Sequence, residues 1–365
     1  MTELADTPRL QIDLGRLERN LSAMAQRTRD AGLGLRPHVK THKMAEIGRR
    51  QLALGALGLT TAKLSEAEAL ADRGLTELFV CYPLIGAPKL ARLRALTRRA
   101  HVMTIVDAEP MARALAEAMA GEPDPLDVLI KVDAGSHRVG VDEPSARTLA
   151  AAVATLPSLR LRGVCSHEGA TYGVPDPEQR AAVARDEAQR LVAVAGALRA
   201  DGHAVEIVST GSTPGVAGTL SVPGLTEVRP GNYVFNDANQ LALGVAPAAR
   251  CALSVLTTVV STPTPQRAIV DAGSKALTLD RGAHGTQTTT GFGVVAERPG
   301  ITLVALSEEH GWLQVAEGEP IAVGEQLTII PNHACPVVNA FAEADVQRDG
   351  RTVQRWTVDA RGCMS

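Results

Sequence analysis

The chain has 365 residues, 45% of them hydrophobic, with 37 basic and 40 acidic side chains and a formal charge of −3 at pH 7. That length and apolar fraction suit one large and one small globular domain, and the near-even charge argues against a nucleic-acid partner, which would demand a basic excess. The five cysteines are scattered, the N-terminus has no apolar core of signal-peptide length, and no run of ~18 apolar residues occurs; together these point to a cytoplasmic protein without a disulfide scaffold or membrane span.

Leu10–Asp13 reads as a strand and Leu14–Asp30 as a helix. Eight apolar β-type runs follow: Leu33–Lys40, Ala56–Thr61, Glu77–Tyr82, His101–Val106, Leu126–Asp133, Arg160–Cys165, Ala204–Thr210 and Leu225–Arg229. Helical stretches lie between them, including Ser65–Arg73, where Ser65 and Glu68 have capping-box spacing, and the long Ala/Leu/Arg segment Arg180–Ala200. From about Cys251 helical periodicity fades. Short β-branched runs replace it at Ser254–Ser261, Ala268–Val270, Thr302–Ala305, Leu327–Ile330 and Val353–Val358, separated by turn residues. The order predicts an α/β chain: a (β/α)8 TIM-like barrel over residues 14–245 and a C-terminal all-β domain over 246–365, with residues 1–13 a candidate extra strand of that domain. The competing architecture, an open doubly wound sheet, would carry a Gly-rich fingerprint after its first strand. The first strand here ends in His38-Val39-Lys40-Thr41-His42-Lys43 instead.

Barrel active sites lie at the C-terminal strand ends. The residues there are Lys40; Thr61 and Lys63; Tyr82; Asp133 and Arg138; His167 and Tyr172; Thr210 to Thr213; and Arg229 to Tyr233. Loops are polar by default, so the crowding alone decides little. Two features add weight. After the seventh and eighth strands the loops read Ser209-Thr210-Gly211-Ser212-Thr213-Pro214 and Arg229-Pro230-Gly231-Asn232-Tyr233. Glycine admits close backbone approach to an anion, and hydroxyls and amides donate to it, so this is a phosphate cradle or else a pair of tight turns. The second feature is Lys40. In an extended segment Arg36, His38, Lys40 and His42 would share one face, and neighbouring cations with partial burial would favour the neutral amine that a Schiff-base lysine needs. The alternative is a solvated basic segment. A phosphate-bearing aldehyde cofactor accounts for both features.

The segment Arg36-Pro-His-Val-Lys-Thr-His-Lys43 resembles the lysine motif of the D-serine dehydratase and D-threonine aldolase family, within the alanine-racemase-like, fold-type III pyridoxal-phosphate enzymes. The resemblance continues through Ala62–Glu68, Lys131–Gly140, His167 with Tyr172-Gly173, Ser209–Pro214, Arg229–Tyr233, Asp271–Ala276, Glu308–Gly311 and Pro331–Cys335, covering nearly the whole chain in order. It implies a homodimer with pyridoxal 5′-phosphate carried on Lys40 and a small D-amino acid as substrate. It implies that Arg138 approaches the cofactor's phenolic oxygen and Tyr172 the ring and substrate. Thr210, Gly211, Ser212, Gly231, Asn232 and Tyr233 lie in the loops that would hold the phosphate.

His333 and Cys335 stand two apart in a segment read as extended, which would point both side chains one way as half of a zinc site. Alone that is a weak signal; in the resembled family this position carries two metal ligands, and the soft Cys favours Zn²⁺ over Mn²⁺ or Mg²⁺. Aldolase relatives carry His-x-Asp here, so Cys335 favours a dehydratase. The expected reaction is elimination of water from D-serine or 3-hydroxy-D-aspartate to an enamine, which hydrolyses to a keto acid and ammonia. The alternatives are D-threonine cleavage to glycine and acetaldehyde, amino-acid racemisation, and a non-catalytic pyridoxal-phosphate-binding protein of cofactor homeostasis. A distal carboxylate on the substrate would want a further cation, which the sequence does not single out. His101, His137, His203 and His284 read as surface or packing histidines, and Cys81, Cys165 and Cys251 as small core fillers.

Overall fold

The computed structural model describes residues 5–365, and the chain forms two compact units. One comprises Ala23–Lys40, Ala45–Gly231 and Cys363–Ser365; the other comprises residues up to Ser22, Thr41–Met44 and Asn232–Gly362. In chain order β1 (Arg9–Asp13) leads into α1 (Leu14–Asp30). Strands and helices then alternate: β2 (Gly34–Leu35), α2 (Ala45–Ala53), β3 (Leu59–Thr61), α3 (Leu64–Ala71), β4 (Glu77–Val80), α4 (Ala87–Thr97), β5 (His101–Val106), α5 (Glu109–Ala118), β6 (Leu126–Lys131), α6 (Glu143–Ala154), β7 (Leu159–Cys165), α7 (Pro177–Ala200), β8 (Ile207–Thr210), α8 (Val216–Thr219), β9 (Glu227–Val228) and α9 (Ala238–Ala242). The rest is mainly strand: β10 (Leu253–Thr264), β11 (Arg267–Val270), α10 (Ser274–Leu277), β12 (Gly293–Val295), β13 (Ile301–Leu306), β14 (Gly311–Val315), β15 (Gln326–Pro331), α11 (Ala334–Ala340), β16 (Glu343–Arg348) and β17 (Arg351–Thr357).

In the first unit eight strands form one parallel sheet in the order β2-β9-β8-β7-β6-β5-β4-β3. A further parallel bridge joins His38 to Thr60, with Thr60 N–H donating to Pro37 O at 2.8 Å, so the chain just past β2 also touches β3 at the other end of that order. Alternation sorts the strand residues between two apolar layers. Phe79, Ile105, Leu129 and Cys165 pack in one cluster, while Val80, Val106, Ile130 and Val164, one residue further or back, pack in the other with the helices. Every residue of β6 is buried, which is why it reads as a continuous apolar run with polar ends. The second unit holds a nine-stranded sheet, β11-β14-β13-β12-β15-β10-β1-β16-β17, antiparallel except where β1 runs beside β16. β10 there alternates buried and half-buried residues over its first seven positions, the pattern of a sheet with one packed face.

Prediction and structure differ in instructive places. The barrel-type strands at Leu33–Lys40 and Ala56–Thr61 shrink to two and three residues. Pro37 lacks the N–H that would extend the ladder past β2. Ser65 does not cap α3: Lys63 holds that position, Glu66 accepts the Ala62 N–H at 2.7 Å, and Glu68 pairs with Arg92. β12, β14 and β16 were not predicted; each begins at a Gly or Glu, which masked short alternating runs. His101 is no idle surface residue. Its Nδ1 lies 2.9 Å from Glu77 and its Nε2 3.2 Å from the buried Asp127, which also takes Arg160 at 2.5 Å and Arg162 at 2.7 Å. Burial works against that charge, yet His101 and the two arginines hold Asp127 at about 2.

Gly163 is the tightest point of the parallel sheet. Its φ is +151°, and a Cβ there would stand 1.9 Å from Ile207 O on the paired strand β8. Gly163→Ala must therefore push β7 from β8, and overpacking plus lost ladder bonds should cost about 3 kcal/mol or more. A thermal melt checks this: a drop of ~5 °C or more is expected, and an unchanged melting temperature would contradict the close approach.

Candidate active site

Because the eight strands are parallel, their C-terminal ends meet at one rim, and a cavity of about 280 Å³ opens there, at the small end of the scale for small-molecule sites. Its lining comes from the segments after β2 (His38, Lys40), β3 (Ala62, Lys63) and β4 (Cys81, Tyr82, Pro83). The end of β6 adds Lys131, with Arg138 and Val139 following, and His167, Gly211 and Arg229 come from beyond β7, β8 and β9. Five of these side chains are cationic, two are imidazoles and none is a carboxylate.

Lys40 sits half-buried on the 3-10 turn Val39–Thr41, its N–H directed to His38 Nδ1 at 3.3 Å. The expected shared face of four cations does not form, because the chain leaves the strand after Leu35. Arg36 turns instead into a buried pair with Glu227, Nε to Oε2 3.0 Å, and His42 belongs to the other unit. Lys131 and Arg229 are the deepest cations, 3% and 5% exposed. Burial lowers the Lys131 amine. Arg229 is gripped by Ser209 Oγ and Ser166 O, and its guanidinium stacks 5.5 Å over Phe79. Ser209 in turn donates to Glu227 at 2.7 Å, so the Arg36–Glu227 pair fixes Arg229 through one hydroxyl. Cys165 is a core residue as predicted, and Cys81, half-buried, packs against the same cluster. Cys81 also lines the cavity, and the Cys165 thiol, with Arg229 and Lys131, holds the Cys81 thiol well below its ordinary range.

Of the residues predicted for the cofactor, the cavity brings together Lys40, Arg138 and Gly211. Gly211 has φ +124°, and a Cβ would meet Arg229 N at 2.9 Å, so the two loops after β8 and β9 close on each other only with glycine here. Thr210 Oγ1 accepts from Ser166 Oγ at 2.7 Å. Ser212 faces away from the cavity: its hydroxyl and amide serve the buried Glu168, which also takes Thr219 Oγ1 at 2.6 Å. Tyr172 is buried on the turn Gly169–Gly173 that follows Glu168. Gly231 ends the parallel-sheet unit, while Asn232 and Tyr233 belong to the other. Asn232 Nδ2 donates to Asp237 at 2.6 Å, and its Oδ1 is buried with no hydrogen-bond partner among the described residues. The sequence placed His38 on the face of the lysine segment, read Cys81 as a core filler and met Lys131 only as the start of a motif; that Lys131 closes an apolar run is the signal that could have marked it as a cavity residue.

In the antiparallel-sheet unit, His333 and Cys335 are not in an extended segment. His333 is the extended cap residue of α11 and Cys335 lies in its first turn; the two side chains nonetheless meet, with a hydrogen bond between them. His333 Nδ1 contacts Asp280 Oδ2 at 2.8 Å, and Thr41 Oγ1 lies 3.3 Å from Cys335 Sγ. Asp237, which anchors Asn232, also accepts the Ala334 N–H at 2.9 Å. Among the described residues no three His, Cys, Asp or Glu side chains are grouped to hold a metal. An imidazole oriented by a carboxylate beside a thiol is the donor chemistry of zinc. The cationic cavity likewise suits an anionic, phosphate-bearing group. Asp271, left open by the sequence, takes Thr257 Oγ1 at 2.6 Å and Thr258 N–H at 3.0 Å, and Lys275 pairs with Glu309.

Comparison with known proteins gives a consistent result. Residues 12–239 match the alanine racemase N-terminal domain and residues 252–346 the serine dehydratase domain. The chain is 37% identical to a D-threo-3-hydroxyaspartate dehydratase of Delftia sp. (strain HT23), over 96% of each protein, and 34% identical to a D-threonine aldolase of Arthrobacter sp., over 98% of this chain and 93% of that one. Among solved structures it resembles D-threonine aldolase from Filomicrobium marinum with a TM-score of 0.91 at 35% identity, covering 99% of this chain and 96% of that one. A cysteine-to-alanine mutant of D-threo-3-hydroxyaspartate dehydratase in the metal-free form matches with a TM-score of 0.89 at 36% identity, covering 97% of each. No helix among the described residues is long and apolar enough to cross a membrane.

Burial pushes Glu168 up to about 7, and burial together with the Glu168 charge pushes Glu187 up to about 8. The folded protein then keeps protons that the unfolded chain has released, so stability should fall as pH rises from ~5 through ~8. Wild-type melting temperature should drop across that window, and Glu168→Gln with Glu187→Gln should flatten the drop. A double variant whose profile parallels the wild type would show that these carboxylates are already ionised.

Proposed function

The chain belongs to the alanine-racemase-like, fold-type III family that contains the D-serine dehydratases and D-threonine aldolases, and from that premise we propose that it is a pyridoxal-phosphate-dependent lyase of D-β-hydroxy amino acids. The observation that carries this reading is the rim cavity, where four further cations and no carboxylate surround Lys40. In this reading the eight parallel strands close as a (β/α)8 barrel, supported by the His38–Thr60 bridge between the ends of the sheet order.

Bound pyridoxal phosphate supplies an electron sink for the substrate's α-carbon. Lys40 Nζ would be the amine that holds the aldehyde and would serve as the base for the α-proton. Gly211, at the close approach of the loops after β8 and β9, and Gly231 are the elements for the phosphate. Ser212 supports that loop through its hydroxyl, which donates to Glu168. Arg229, immobilised by Ser209 and the Ser166 carbonyl, presents a fixed positive charge that favours the anionic form of an acid and the neutral form of a base placed beside it. Arg138 and Tyr172 complete the assignment, Arg138 from the cavity wall and Tyr172 from the buried turn after β7.

His333 and Cys335 would hold a divalent ion, with Asp280 fixing the imidazole through Nδ1. The thiolate favours zinc, which would act as Lewis acid toward a β-hydroxyl. Only two protein ligands leave coordination positions open for water and substrate. The reading is thus a dehydratase giving keto acid and ammonia, with retro-aldol cleavage to glycine and an aldehyde as the second reading; Cys335 favours the first.

Incubation with D-serine, D-threonine and 3-hydroxy-D-aspartate, with and without chelator, tests it. Keto acid from at least one of them, lost on chelation and restored by zinc, is expected. Aldehyde would favour the aldolase, and neither product from any substrate would defeat the lyase reading.

A further inference from the structure

We infer that Lys63 selects substrates with a second carboxylate beyond the β-carbon, so that the cavity prefers a β-hydroxy D-amino dicarboxylate to D-serine or D-threonine. The inference rests on the lyase reading of the same cavity.

The five cations are not equivalent. Lys131 and Arg229 lie at the bottom, and Arg229 is already tied to Ser209, Ser166 and, through Ser209, to Glu227. Lys40 has the cofactor role. Lys63 lies at the outer part of the cavity, half-buried beside Tyr82, which is 40% exposed. Its backbone is fixed as the extended residue before α3, with the carbonyl accepting the Ala67 N–H at 3.3 Å. Its ammonium rests 3.8 Å from the centroid of the Tyr82 ring, and among the described residues no carboxylate pairs with it.

That arrangement has a chemical meaning. A ring face steadies an ammonium without neutralising it, so Lys63 is oriented across the cavity mouth and keeps its full charge for an anion. A hydroxymethyl or methyl group on the substrate offers that charge nothing, and closing the site over either would leave a cation partly desolvated. A distal carboxylate supplies the missing partner in a lining that has none of its own. Tyr82 sets where the ammonium stands, which makes it the positioning residue for Lys63.

The test uses the holoenzyme and two amino acids without a β-hydroxyl, D-aspartate and D-alanine, so that binding is read from the absorbance of the bound cofactor apart from turnover. Wild type should bind D-aspartate about tenfold or more tightly than D-alanine. Lys63→Gln should erase most of that preference while leaving D-alanine affinity within about twofold, and Lys63→Arg should restore part of it. In turnover, Lys63→Gln should raise KM for 3-hydroxy-D-aspartate about tenfold more than it raises KM for D-serine. A wild type with no preference, or a preference that survives Lys63→Gln, overturns the proposal even if the enzyme turns over D-β-hydroxy amino acids. If no such amino acid is turned over and neither ligand binds, the lyase reading falls and this one with it.

Discussion

Positive charge gathered without a counter-charge is the constraint around which the parallel-sheet unit is built. Two of the cations at the rim cavity, Lys131 and Arg229, are almost fully buried, and the lining offers them no carboxylate. Burying such groups is costly unless something anionic shares the space. Part of the relief is internal: the Arg36–Glu227 pair reaches Arg229 through Ser209, and the Cys81 thiol, shifted toward its charged form, faces Lys131 and Arg229. The remainder calls for a ligand with several negative charges. A phosphate-bearing cofactor with an amino-acid substrate meets that need.

The fold makes the convergence possible. Parallel strands deliver all their C-terminal ends to one side, so side chains from segments far apart in sequence meet at one cavity. The N-terminal ends are closed by a different charge pattern, Asp127 with His101, Arg160 and Arg162, in which every charge has a partner. The same sheet therefore has a neutralised end and an uncompensated end, and only the latter suits chemistry. The antiparallel-sheet unit keeps its own polar centre at the start of α11. There Asp237 ties Asn232 to the backbone next to His333, and Asp280 orients the imidazole.

Much of this was legible in the sequence. β5 and α1 fall at the predicted residues, and the alternation of strands and helices followed by short strands appears as read. These are long periodic segments whose burial pattern follows directly from composition. Short elements were less legible. β2 keeps only Gly34 and Leu35 because proline interrupts its ladder, so the face imagined for Arg36, His38, Lys40 and His42 dissolves into a turn. The segment with His333 and Cys335 becomes a helix start, yet the pair still meets, because a cap residue and one in the first turn can converge as well as alternate strand residues. Lys40, Arg138 and Gly211 were identified from motif and strand-end position. Lys131 and Cys81 were hidden because a single polar or small residue ending an apolar run looks like any strand terminus. Lys63 was visible as a strand-end residue, but its seat over Tyr82, with no carboxylate partner among the described residues, exists only in three dimensions.

The central claim is that one amine among several in the cavity carries the cofactor. The direct measurement is borohydride reduction of the protein loaded with pyridoxal phosphate, followed by peptide mass mapping. The account predicts one stoichiometric phosphopyridoxyl adduct, on Lys40. An adduct on Lys63 or Lys131 in its place, or none at all, would contradict it.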